Sequence, residues 1–184
     1  GAIAICGDSY STTNSYTGTG NIPNEINGTS SCMADGEKND VWYVFTVQQD
    51  GDLMFTISPN DPADDYDWSV YNITSSSCSD IYNDPSLEVS CNWSGTTGDT
   101  GPDGSTTLSS QGAGGTPFND AIPVLEGEVY VINVSNWSST QNGYFIDFSM
   151  ASGVIVDNTP PELDTIVNSP TCGQDQITVW FTET

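Results

Sequence analysis

The chain of 184 residues carries 25 carboxylates against a single basic side chain, Lys38, and no histidine, for a formal charge of -24. Without Arg or His it cannot build the cationic footprint of a nucleic-acid binder or adhere to an anionic membrane by charge. A Ser-His-Asp triad, a histidine metal site and an arginine clamp for phosphoryl groups are excluded on the same ground. Apolar residues make up 35%, and 44 Ser and Thr with 18 Gly and 10 Pro favour turns over long helices. No run approaches the roughly 20 apolar residues of a membrane span, so neither membrane insertion nor a helical core is expected.

In chain order, the first eight residues lack the basic and apolar regions of an intact signal peptide, which reads as a mature or trimmed start. Residues 41–47 (VWYVFTV) are apolar on both faces, as expected of a central sandwich strand. Leu53, Phe55 and Ile57 then alternate with Met54 and Thr56 after the Gly51-Asp52 turn, which predicts a hairpin with the preceding strand. Residues 67–73, 87–91, 128–135 and 144–149 repeat the period of two, separated by Gly, Pro, Asn and Ser. This pattern predicts an antiparallel, jelly-roll-like β-sandwich over residues 1–152.

The polar, glycine-rich stretch 94–116 has one aliphatic side chain, Leu108, and reads as a long surface loop, either a contact loop or a floppy one. A proline-containing linker is expected over 153–162. Two short strand-like runs follow within 163–184, with Leu163, Ile166, Ile177, Val179, Trp180 and Phe181 as apolar positions. Two strands alone are marginal in water, so this tail predicts either a donor segment that joins another sheet or the start of a second domain.

Five cysteines in an acidic, Ser/Thr-rich chain suit an oxidising compartment. The short local spacings predict Cys6 with Cys32 and Cys78 with Cys91, leaving Cys172 over. Among the carboxylates, Asp61, Asp64, Asp65 and Asp67 fall within seven residues, a density of hard oxygen donors that suits Ca²⁺, with Asp65 and Asp67 the best placed. Asp99 and Asp103, flanked by glycines, form a second candidate. Asp35, Glu37 and Asp40 read as an acidic turn, with Lys38 solvated beside them. Trp93 and Trp137, in polar Asn-Trp-Ser contexts, could stack on a glycan ligand, whereas Trp42 and Trp68 lie in strands. No carboxylate pair is framed as in a glycosidase cleft, so a non-catalytic chain is expected.

The run "DVWYVFTVQQDGDLMFTI", followed by "DDYDWSVYN", resembles the bacterial pre-peptidase C-terminal type of β-sandwich, and "LEGEVYVINVSNWSSTQNGYFIDFS" is similar to that family's closing hairpin. The nearest likeness is to surface modules of gliding and particle-degrading Bacteroidota exported by the type nine secretion system, over about residues 1–150. The tail "NTPPELDTIVNSPTCGQDQITVWFTET" resembles the first two strands of an Ig-like repeat. The resemblance implies an extracellular, secreted or cell-surface setting, and makes Thr165, in Asp164-Thr165-Ile166, a position for glycosylation. It names no catalytic residue. Together these readings give two expectations: a fibre subunit that self-associates head to tail through its C-terminal strands, or a calcium-dependent carbohydrate-binding or adhesion module cut from a larger protein.

Overall fold

The computed structural model describes all residues except 19–21, 23–24, 34–37, 152–154, 156–161, 169–176 and 183–184, and only the backbone of 162–168 and 177–182. Almost all of its regular structure is β-strand. These are β1 (Ile3–Ala4), β2 (Ser9–Thr12), β3 (Val41–Thr46), β4 (Gly51–Leu53), β5 (Thr56–Pro59), β6 (Tyr66–Asn72), β7 (Glu88–Asn92) and β8 (Gly101–Pro102). They continue as β9 (Ser110–Gln111), β10 (Phe118–Asn119), β11 (Ile122–Val124), β12 (Val129–Asn136), β13 (Tyr144–Asp147), β14 (Glu162–Asn168) and β15 (Ile177–Thr182). No helix among the described residues is long and apolar enough to cross a membrane.

One layer is a six-stranded sheet in the order β1-β3-β12-β6-β7-β9, antiparallel through its four long central strands and parallel at each two-residue edge. The other layer holds the three-stranded sheet β2-β13-β5 and the pairs β11-β4 and β10-β8. Alternation decides what lies between them. Tyr43, Phe45, Trp68, Val70, Tyr130, Ile132 and Val134 from the first layer meet Leu53, Phe55, Ile57, Tyr144 and Ile146 from the second. This is a β-sandwich core rich in aromatic rings, with Phe55 edge-on to Trp68 and Tyr66 edge-on to Tyr144. The few polar atoms within it are paired: Tyr43 and Tyr144 join hydroxyls at 2.6 Å, and the Trp68 indole donates to Thr100 Oγ1 at 2.9 Å.

The strand periodicities at 41–47, 67–73, 87–91, 128–135 and 144–149 fall on β3, β6, β7, β12 and β13. The expected hairpin between 41–47 and 53–57 does not form. Both edges of β3 are taken, by β1 and β12, so the chain crosses to the other layer, where β4 pairs with β11 and β5 with β13. Leu53, Phe55 and Ile57 still point inward, because the alternation continues through the break between the strands.

The stretch 94–116 is a working part of the sandwich. Thr100 exchanges backbone hydrogen bonds with Ile57, and β9 adds to the β7 edge, so one polar segment closes an edge in each layer. Gly101 has φ 152°, and a Cβ there would lie 2.1 Å from the Phe55 carbonyl oxygen, so only glycine lets the two backbones approach this closely. Asn119 then ties the seam: its Nδ2 donates to the carbonyls of Cys91 and Ser109, and its Oδ1 accepts from Asn92.

The six-stranded sheet is buried on its outer face as well, which explains why β3 is apolar on both sides and why β6 turns Tyr71 outward. Tyr71, Cys91 and Val131 point outward and are covered by Ile26 and Met33 of the 26–33 segment and by Ile81. Here the cysteine pairing differs from the one the spacing predicts: the disulfide joins Cys32 to Cys91, with Cα atoms 6.0 Å apart, and Cys6 and Cys78 are exposed free thiols. Strand alternation turns Cys91 out beside Ser69, underneath the covering segment that carries Cys32, whereas Cys78 begins a 3-10 turn on the surface. Short sequence separation therefore chose the wrong partners. Closing a 59-residue separation is worth about 4 kcal/mol by loop entropy. Cys172 lies outside the described residues.

β14 and β15 form their own two-stranded antiparallel sheet. A register shift between Leu163 and Thr165 puts Leu163 opposite Phe181 and Ile166 opposite Val179, so these four positions and Ile177 share one face of the ribbon. Thr165 and Trp180 lie opposite each other on the other face. The linker expected over 153–162 falls largely outside the described residues.

Candidate functional site

The outer face of the six-stranded sheet is the part of the molecule whose polar chemistry is unfinished. Among the described residues, three buried side-chain atoms have no hydrogen-bond partner, Trp42 Nε1, Asp65 Oδ1 and Ser69 Oγ, and all three belong to this face or its end. Such groups are costly where they occur, which makes their grouping informative.

Strand geometry places them. Residues 65, 67, 69 and 71 alternate outward along β6 and the residue before it, opposite Tyr66, Trp68 and Val70 that enter the core. Ser135 of β12 stands beside Asp67, and Asn133 lies between Ser69 and Trp42. Asn133 donates to Asp40 at 2.8 Å and accepts from Ser135 at 2.8 Å, which completes that pair. Asp67 gains nothing from this network.

The four clustered carboxylates have separate fates. Asp61 is exposed and caps its own turn, accepting from Ala63 N at 3.0 Å. Asp64 is buried and engaged, its Oδ2 accepting from Thr140 Oγ1 at 2.7 Å and Asn142 Nδ2 at 3.0 Å, which holds the 138–142 turn in place. Asp65 is fixed through its backbone, with N accepted by Ser138 Oγ at 2.8 Å and O accepting from Trp137 N at 3.0 Å. Its carboxylate is left without a donor at Oδ1, although the residue is only 7% exposed. Asp67 is 6% exposed, and no hydrogen bond reaches its carboxylate among the described residues. Burial raises the Asp65 carboxyl above the usual range. Burial, and then the neighbouring Asp65 charge, push Asp67 from the ordinary 3.8 to about 7, with Lys38 pulling the other way. The sequence cluster therefore resolves into one working pair, Asp65 and Asp67.

Lys38 sits at this end of the face and is not a solvated turn residue. Its Nζ donates to the Trp137 carbonyl at 3.0 Å and lies 4.1 Å from the centre of the Trp137 ring. The lone cation of the chain is thus placed where two carboxylates are buried. Sequence reading missed this because nothing in the spacing of Lys38, Asp67 and Trp137 joins them; only the antiparallel register does.

The other candidates scatter. Asp99 is exposed, and Asp103 caps a turn by accepting from Ser105 N at 2.9 Å, so neither shares a site with a second carboxylate. Among the described residues, three Cys, Asp or Glu ligand atoms converge within 4.8 Å only at Cys32, Glu88 and Cys91. There both sulfurs are consumed by the disulfide, while Glu88 accepts from Ser31 Oγ and from Cys32 N. Trp93 is half-buried against the outer-face cluster, and Trp137, 43% exposed, has one ring face covered by Lys38. Neither ring is a bare stacking platform. Asp35 and Glu37 lie outside the described residues.

At the opposite side of the outer face a pocket of about 580 Å³ is lined by Tyr16, Glu25, Asp40, Trp42, Cys78 and Ile81 among others. No protein-family model, curated protein or solved structure matches the chain.

Proposed function

We propose that the chain is a non-catalytic, extracellular structural or adhesive β-sandwich that self-associates head to tail by strand addition through β14 and β15. The observation that supports this reading is the ribbon itself. Its register gathers Leu163, Ile166, Ile177, Val179 and Phe181 on one face, and its two strands pair with each other rather than with either layer of the sandwich. A two-stranded ribbon with an apolar face needs a covering surface, and a second copy offers sheet edges that are only two residues long at β1 and β9. Burying three such side chains contributes roughly 5 to 8 kcal/mol before ordering costs, so durable assembly also needs backbone pairing. A heterologous contact of this kind propagates into a fibre when its rotation does not close.

The disulfide and the acid-rich surface suit an oxidising exterior. Val179→Asp is expected to abolish polymers seen by sedimentation and electron microscopy while the sandwich melts as in the parent chain. A parent chain that sediments as a monomer at every concentration overturns the reading.

A second reading, a calcium-dependent carbohydrate-binding or adhesion module, is favoured by the pocket beside β1, where the rings of Tyr16 and Trp42 lie with the carboxylates of Glu25 and Asp40. A glycan array is the measurement that separates the two, with binding lost on Trp42→Ala expected only for the module.

A further inference from the structure

We infer that Asp65 and Asp67 form a calcium site at the end of the outer sheet face, framed by the 137–138 backbone and facing Lys38. Two carboxylates, each more than nine-tenths buried, lie two residues apart on one face, and among the described residues no donor reaches Asp65 Oδ1. A buried acceptor without a donor is costly, and a second buried carboxylate beside it adds repulsion. A cation between them removes both penalties at once.

The surroundings are organised for that. Asp64 spends its carboxylate on Thr140 and Asn142, and Ser138 and Trp137 clamp the Asp65 backbone, so the turn is rigid while the Asp65 side chain stays unclaimed. Ser69, two residues on along the same face, adds a second unpartnered buried oxygen. All the available donors are oxygens, with neither sulfur nor imidazole within the group, which selects a hard cation over zinc or copper.

Calcium fits better than magnesium. Magnesium demands near-ideal octahedral geometry and gives up its waters reluctantly, whereas calcium accepts irregular oxygen sets and dehydrates readily enough to reach two carboxylates this deeply buried. With two protein carboxylates the site belongs to the weak class filled at about 0.1 to 1 mM calcium, the range of extracellular modules. Lys38 is then a tethered competitor. Its ammonium, parked on the Trp137 carbonyl and ring, offsets part of the negative charge when the ion is absent and opposes it when present.

The site is independent of the tail, so its test is separable from that of assembly. The full chain, stripped with EDTA and held in about 0.15 M NaCl to screen diffuse surface binding, is titrated with CaCl₂ by calorimetry and with Tb³⁺ by tryptophan-sensitised luminescence. One saturable site per chain is expected, with luminescence excited through the adjacent Trp137. Asp65→Asn and Asp67→Asn are each expected to weaken binding by at least about tenfold. Lys38→Gln is expected to tighten it, and the Asp99→Asn, Asp103→Asn pair to leave it unchanged. Asn keeps the size of each side chain and removes a buried charge, and unaltered circular dichroism in EDTA checks that these variants fold. Binding that never saturates, that survives the Asp65, Asp67 double substitution, or that magnesium matches at equal concentration overturns the assignment. Sedimentation of the same samples reports on assembly, which can fail while the calcium site stands.

Discussion

The two faces of the six-stranded sheet are built from the same strands and obey different rules. The inner face meets a second layer of sheet, and its rings and hydroxyls find partners across the interface, as in the Tyr43–Tyr144 and Trp68–Thr100 contacts. The outer face is covered by irregular chain, held by one disulfide, and keeps Trp42 Nε1, Asp65 Oδ1 and Ser69 Oγ unpartnered. Regular layers satisfy each other because their periodicities match. A loop laid over a sheet has no such period, so polar atoms stay unsatisfied beneath it, and those atoms are where a ligand gains most.

The contrast is broken hardest from the inside. Trp68→Ala removes a fully buried ring and leaves Thr100 Oγ1 without its indole donor at the seam; it is expected to cost about 3 to 5 kcal/mol and to lower the melting midpoint as a single cooperative step, read by calorimetry. Replacing Cys32 and Cys91 by Ser should cost less, roughly 2 to 4 kcal/mol, and should act locally. Limited proteolysis is expected to cut near 26–33 first while the inner core stays protected; simultaneous loss of both would mean that the two faces are one cooperative unit.

The smallest effect sharpens the comparison through pH. Because Asp67 titrates near 7 in the folded chain and near 3.8 unfolded, the folded state holds the extra proton between those values. Its charge therefore costs nothing below about pH 4, costs progressively more as pH rises, and costs its full amount above about pH 7. In EDTA, stability from denaturant melts is expected to fall by roughly 2 kcal/mol from pH 4.5 to 6 on account of this group, and Asp67→Asn should flatten that part of the slope. An unchanged slope in the variant would place the titrating group elsewhere.

Much of the inner face was legible in the sequence, because period-two alternation in VWYVFTV, DWSVYNI and EVYVINVS is a direct record of which side chains enter the core. The outer face was legible only as an excess: both sides of β3 are apolar, which signals a second cover without saying what provides it. The disulfide shows the limit. Cys91 points away from the core because of its parity on β7, and only the path of the 26–33 segment brings Cys32 above it. Residues 94–116 were unreadable for another reason, since their contribution is made of backbone hydrogen bonds and glycine conformations, which leave no apolar pattern. The DDYD cluster pointed to the right neighbourhood, yet the distinction between Asp64, which is satisfied, and Asp65, which is not, depends on Thr140 and Asn142 far along the chain.

Gly101 bears on how kin of this chain can be recognised. Surface acids, Ser and Thr can be exchanged with little penalty. The position where a Cβ would strike the Phe55 carbonyl at 2.1 Å has no such freedom. A glycine there, with an aromatic at 55, a tryptophan at 68 to donate to the neighbouring threonine, and an asparagine at 119 to bind the seam, is a sparse signature set by geometry. Sequences that keep those four positions at compatible spacings would share this sandwich after every other resemblance has eroded.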